Sequence, residues 1–256
     1  MFETLYEQMA VLMLVFVRFT GMLAFNPLLS RRGVPAAARM GFVISLTMLV
    51  APGLSAEPFT RYTTVQMVGA LFRELAVGFV CGCVFQVFYY MLIFAGDQMD
   101  MAFGLSMARA FNPNTNIQMS VSSNYLNLFF ILYLFATNSH HILIRLFTSS
   151  YLIIPPGQGV ITQNVAQFMF ELFSYAFSLA VQLSLPFVAM ELIMEFSIGI
   201  LMKFIPQINV FVINIQLKIL LGLFLLFAFT PVVGTFLTNY LDTLFRRMQD
   251  ILYFLV

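Results

Sequence analysis

Residues 65–95 read VQMVGALFRELAVGFVCGCVFQVFYYMLIFA, and this stretch decides the fold. Only Arg73 and Glu74 carry charge within it. At about 1.5 Å rise per residue, about 20 apolar residues cross a hydrocarbon core of about 30 Å, so the run is a transmembrane helix. It is too long for one perpendicular span, and must tilt or project beyond the membrane. Gly78 and Gly82, with three residues between them, make the pattern by which two membrane helices approach closely.

The rest of the chain matches it. Of 256 residues, 61% are hydrophobic and 9% charged, against about 25% charged in soluble domains, and the mean hydropathy is +0.93. Twelve basic and eleven acidic side chains cannot coat a water-facing globule, so we read an all-α integral membrane protein. A net charge of +1 leaves no reservoir for neutralising phosphates, which sets nucleic-acid binding aside. Cys81 and Cys83 leave a helix about 200° apart and cannot share a ligand or a disulfide. His140 and His141 are the only imidazoles and are adjacent, so no His/Cys metal constellation is expected.

The chain opens Met-Phe-Glu-Thr-Leu-Tyr-Glu without a basic segment, so no cleaved signal is expected. About six long helices follow. The first runs from about Met9 to Leu29 and is interrupted by Arg18; the second from Met40 to about Leu54; the third from Val65 to Ala95. Asp97 to Ser123 is a polar interval centred on the turn formers Phe111-Asn112-Pro113-Asn114-Thr115-Asn116. A fourth element spans Tyr125 to Ile154, with a soft break at Asn138-Ser139-His140-His141 and a firm stop at Pro155-Pro156-Gly157. The fifth runs from Val165 to about Ile205, with Pro186 able to kink it and Pro206 ending it. The sixth is Val210 to about Phe236, followed by an amphipathic tail.

Arg31, Arg32 and Arg39 put the first loop in the cytoplasm by the positive-inside rule, yet six alternating spans would then leave Arg246-Arg247 outside. Several charges also lie within apolar stretches, among them Arg18, Arg73, Glu74, Glu191, Glu195, Lys203 and Lys218. Each costs roughly 2.5 to 3.5 kcal/mol at mid-bilayer, so they should face protein or water. Glu191, Glu195, Gly199 and Lys203 share one helical face. That stripe has three readings: a proton or ion relay, a subunit contact, or one end of an over-long helix standing in water. No catalytic assignment follows, because the serines lack a Gly-x-Ser-x-Gly setting, the histidines lack His-Glu-x-x-His spacing, and Asp97 and Asp100 flank a loop.

Three stretches resemble the FliR/SctT/SpaR family of type III secretion export-gate proteins. They are Asn26-Pro27-Leu28-Leu29-Ser30-Arg31-Arg32-Gly33-Val34-Pro35 with Arg39-Met40-Gly41, then Gly96-Asp97-Gln98-Met99-Asp100-Met101-Ala102-Phe103-Gly104 running into Phe111-Asn112-Pro113-Asn114, and Phe204-Ile205-Pro206-Gln207-Ile208-Asn209-Val210-Phe211 with Lys218-Ile219-Leu220-Leu221-Gly222. Their order and separations cover almost the whole chain.

The resemblance implies a single export-gate domain over residues 1–256, with FliP-like helices over about 1–160 and a FliQ-like hairpin over about 161–256 hinged at Pro206 and Gln207. It implies a non-enzymatic subunit that forms a pore with FliP and FliQ, beside FlhB and FlhA, in the bacterial inner membrane at the flagellar basal body. Unfolded rod, hook and filament proteins would pass through that pore. An injectisome subunit of SctT type is the alternative, and a proton-coupled secondary transporter using Glu191 and Glu195 is a further one. The resemblance also implies a pore plug in the loop carrying Met107, Phe111, Asn112, Pro113, Asn114, Thr115, Asn116 and Met119, with an ordinary exposed connector as the alternative reading. Backbone with that many turn formers cannot face lipid unpaired, and thioethers seal against varied shapes. The subunit-contact or buried-charge set is Arg73, Glu74, Glu191, Glu195 and Lys203.

Overall fold

A computed structural model describes residues 2–27, 34–54, 62–105, 119–204 and 210–256. Every regular element among them is helical. These are α1 (Phe2–Ala24), α2 (Ala36–Val50) with a 3-10 turn at Ala51–Gly53, α3 (Thr64–Ala102), α4 (Val121–Ala136), α5 (Ser139–Ile153), α6 (Gln163–Phe204), α7 (Val210–Ala228) and α8 (Thr230–Phe254). α2, with its 3-10 turn, α3 and α6 are each long and apolar enough to cross a membrane alone. α4 with α5, and α7 with α8, qualify as bent pairs, turning by 74° and 59°. Counting each bent pair as one broken element leaves six, the number expected from sequence.

Local chemistry explains where the chain breaks. Between α4 and α5, Asn138 adopts φ +56°, a left-handed conformation that asparagine tolerates better than most side chains. Between α7 and α8 the bend comes at Phe229, and here the structure corrects the expected boundary. The sixth element does not run to Phe236; a new helix starts at Thr230. Pro231 lies in its first turn, where the missing N–H and the fixed φ are tolerated, and the former amphipathic tail is the body of α8. Pro186 has no comparable effect, and α6 runs through it as one helix of 42 residues in all.

The chain divides into two compact units. One comprises Met1–Tyr89, Asn138–Phe173 and Asp242–Val256. Its core gathers Leu14, Phe19 and Met22 of α1, Val77, Phe85 and Phe88 of α3, Phe147 and Tyr151 of α5, and Leu244 and Ile251 of α8, all buried. At its centre α1 crosses α3 with no side chain between the backbones. A Cβ on Gly21 would lie 2.9 Å from the Leu75 carbonyl oxygen, and one on Gly78 would strike the Arg18 carbonyl oxygen. The Gly78 and Gly82 pattern therefore serves helix approach, as its spacing implied. The end of the chain closes the same unit: Val160 N–H donates to the Leu255 carbonyl at 3.0 Å, and Phe168 packs on Phe254.

The other unit comprises Tyr90–Thr137 and Ser174–Leu241. Its core is Leu92 and Met99 of α3 with Phe103 just past its end, Leu126 and Phe130 of α4, Ala176, Ala180 and Phe187 of α6, and Val233 and Leu237 of α8. Gly222 of α7 lies under the Phe103 ring, leaving no room for a Cβ. The α7–α8 elbow is tied to α4 by the Tyr125 hydroxyl, 2.9 Å from Thr230 Oγ1.

Candidate functional site

In a chain this apolar, the places that do chemistry are those where ions and helix ends meet. Three are built from described residues.

The first is an ion pair at the centre of the first unit. Arg18 of α1 and Glu74 of α3 are both fully buried. The guanidinium grips the carboxylate with two donors, Nε to Oε2 at 2.5 Å and Nη2 to Oε1 at 2.9 Å, the fork geometry that makes arginine the preferred partner of a buried carboxylate. Its Nη1 donates to the Ile154 carbonyl at 3.0 Å and the Ser150 carbonyl at 3.3 Å, two acceptors at the open end of α5. The Tyr151 ring lies 4.0 Å from the guanidinium carbon, adding a cation–π contact. Glu74 Oε1 also accepts from Gly157 N–H at 2.6 Å, and so holds the turn that starts the approach to α6. One pair thus joins α1, α3, α5 and that turn. Arg73, its neighbour in sequence, is exposed.

The second place lies in the other unit, where α3 receives the N-terminus of α4. The first N–H groups of a helix have no partner within it. Here Asp100 of α3, itself buried, supplies the acceptors: Val121 N–H donates to Oδ2 at 2.7 Å and Ser122 N–H to Oδ1 at 3.0 Å. Ser120 caps the same end locally, accepting from Ser123 N–H at 3.1 Å. Ser123 Oγ stands 2.7 Å from the Ile93 carbonyl and 3.0 Å from Asp97 Oδ1, donating to one of them at a time. Gly96 makes the approach possible, since a Cβ there would fall on the backbone of Ser122 and Ser123. Asp97 and Asp100 lie in the last two turns of α3, which runs on past the Ala95 end expected from sequence, and from there they clasp the start of α4. Removing the acceptor is expected to cost about 1 to 2 kcal/mol, the range for losing a good N-cap. In an Asp100→Ala variant, the amides of Val121 and Ser122 should exchange with solvent about tenfold faster while those of α1 keep their protection. Unchanged exchange at both amides would rule the clasp out.

The third place is the stripe on α6. Lys218 of α7 reaches across to pair with Glu191, which is buried, and lies 3.4 Å from Glu195, whose side chain is 56% exposed. Glu191 and Glu195 therefore share one cation from α7, a partner their own spacing could not reveal. Gly199 and Lys203 continue the stripe outward and are exposed.

Of the expected site residues, the structure brings Glu74 into a buried pair and Glu191 and Glu195 onto Lys218, while Arg73 and Lys203 stand at the surface. Met107, Phe111, Asn112, Pro113, Asn114, Thr115 and Asn116 lie outside the described residues, as do Pro206 and Gln207; Met119 is the described end of that interval and is half-buried. Arg18, Asp97, Asp100 and Lys218 were not singled out as site residues. The available signal was an ion in an apolar helix, which demands a partner without naming it.

Comparison with known proteins adds the family. The sequence model of the bacterial export proteins, family 1, matches residues 9–244. The flagellar biosynthetic protein FliR of Bacillus subtilis is 27% identical over 94% of this chain and 93% of its own length. That of Escherichia coli is 24% identical over 92% of this chain and 90% of its own. That of Caulobacter vibrioides is 27% identical, with 86% and 88% covered.

Proposed function

The chain belongs to the bacterial export proteins, family 1, and from that premise we propose that it is a core, non-enzymatic subunit of a flagellar protein export gate. The observation that carries the reading is the extent of the family match, which takes in both compact units and nearly every described helix. In this reading the chain joins FliP-like and FliQ-like subunits in the inner membrane at the flagellar basal body, beside FlhB and FlhA, and unfolded flagellar proteins pass through the pore they enclose. It binds no cofactor and makes no covalent change in its cargo.

The chain's own surface supports a life in a complex. Phe170, Phe196, Phe204 and Phe227 are each more than 70% exposed, alongside Glu195 and Lys203. Such a mixture of large apolar groups and ions suits neither water nor lipid over its whole length. Expressed alone and extracted in mild detergent, the chain is expected to aggregate or be degraded; expressed with its FliP-like and FliQ-like subunits, it should elute as one stable complex. A monodisperse, folded monomer obtained from solitary expression would contradict the assembly role. Deleting the gene separates the flagellar reading from the injectisome one: loss of swimming with effector secretion intact supports the flagellum, and the reverse outcome transfers the protein to an injectisome.

A further inference from the structure

We infer that the outward face of α6 from Leu192 to Lys203 docks a partner helix of reversed charge order, with a basic residue opposite Glu195 and an acidic residue opposite Lys203. The inference rests on the assembly role proposed above and specifies which face of the chain takes part and what chemistry it selects.

A groove of about 350 Å³ runs along this face, lined by Leu192, Glu195, Phe196, Gly199, Ile200 and Lys203. Glu195 and Lys203 lie eight residues apart, about 12 Å along the axis, with Gly199 midway. A Cβ on Gly199 would meet nothing within 4 Å, so the floor of the groove is open to an approaching backbone. Neither solvent suits the face. Phe196 and Ile200 are 74% and 61% exposed, too apolar a surface to leave in water. Glu195 is too polar for lipid: its contact with Lys218 is the longer of the two that lysine makes, since Lys218 is already engaged by Glu191. Lys203, in the last turn of α6, can bend its stem toward a membrane surface, but Glu195 lies two turns further in on a shorter side chain. A protein partner satisfies both halves of the face at once.

Charge order selects the class of partner. The sequence Glu195, Gly199, Lys203 reads acid, small, base, and an antiparallel copy of it would cancel both charges. Copies of one chain, however, enter a membrane in one orientation. A two-fold axis along the membrane normal makes the contacting helices parallel, setting Glu195 against Glu195 and Lys203 against Lys203, and like charges facing each other destabilise the contact. The face is therefore complementary to a different chain.

The test uses the full chain co-expressed with the export subunits of its own gene cluster, carrying a photo-crosslinking phenylalanine analogue at position 196 or 200. We expect an adduct with one of those subunits, on a helix with a base and an acid about two turns apart. Glu195→Lys should reduce the adduct at least tenfold, and an acidic substitution of the facing base in the partner should restore it. The double variant Glu195→Lys with Lys203→Glu keeps the net charge and should also lose the adduct at normal expression, which guards against misfolding as the explanation. Adducts with lipid or a second copy alone, or adducts indifferent to charge reversal, overturn the inference. If the complex assembles but positions 196 and 200 do not crosslink to it, this face is wrong and the assembly role stands. If the subunits fail to assemble at all, the assembly role itself falls.

Discussion

Replacing Glu74 or Arg18 by methionine is expected to cost about 3 to 5 kcal/mol, because either change leaves one charge buried without its counter-ion. Both groups are fully removed from solvent and joined by two hydrogen bonds, and the guanidinium's other partners named above, the Ser150 and Ile154 carbonyls and the Tyr151 ring, carry no charge to replace the carboxylate. The double variant Arg18→Met with Glu74→Met removes both charges together and should recover much of that loss. It should not recover all of it, since the Gly157 N–H and the Ile154 carbonyl then lose their partners. Thermal unfolding of the co-expressed, detergent-extracted protein gives the cycle directly. Additive losses, with the double variant as damaged as the two singles combined, would show that the pair is not a unit.

Gly78→Val should be comparably damaging for a different reason. The new side chain meets the backbone of α1 at Arg18, Gly21 and Met22, and backbone cannot swing aside as a side-chain tip can. The cost of forcing a side chain into such a contact is expected to reach or exceed about 3 kcal/mol, the upper part of the usual range for overpacking. The displaced α1 would also carry Arg18 away from Glu74, so the two losses compound. Gly69→Ala, in the same helix but with nothing within 4 Å of its Cβ, is the matched control and should be neutral or stabilising by about 0.5 to 1 kcal/mol. Equal yields of folded protein from the two variants would mean that α1 and α3 do not touch at Gly78.

What could be read in advance follows from the range over which each signal acts. The stop at Pro155-Pro156-Gly157, the break near Asn138 and the close-packing glycines are local, and each stands in the structure where the residues put it, whereas the ends of the apolar runs moved: α1 stops at Ala24, short of Leu29, and α3 continues past Ala95 to Ala102. The elbow at Phe229 was displaced because the apolar run continues past it to Phe236. Only Thr230-Pro231 signals the new helix, and that signal is easily lost in a hydrophobic average. Pairings were out of reach. Arg18 and Glu74 are 56 positions apart, and Asp100 is 21 positions from the amide it caps. The spacing of Glu191 and Glu195 revealed a common face, while the identity of Lys218 as their shared cation depended on how α7 packs against α6.

The two elbows bear on how the protein is made. α4 and α5 have 16 and 15 residues, so each rises only about 24 Å or less, short of the hydrocarbon thickness of about 30 Å. A translocon that releases segments sideways into lipid as they leave the ribosome meets in α3 and α6 helices that qualify by themselves. In α4 and α5 it meets two halves that qualify only as a pair, with a polar Asn138-Ser139 joint between them. Integration is then out of step with synthesis: the long helices settle first, and the elbowed ones wait at the channel or the interface until surfaces already in the bilayer receive them.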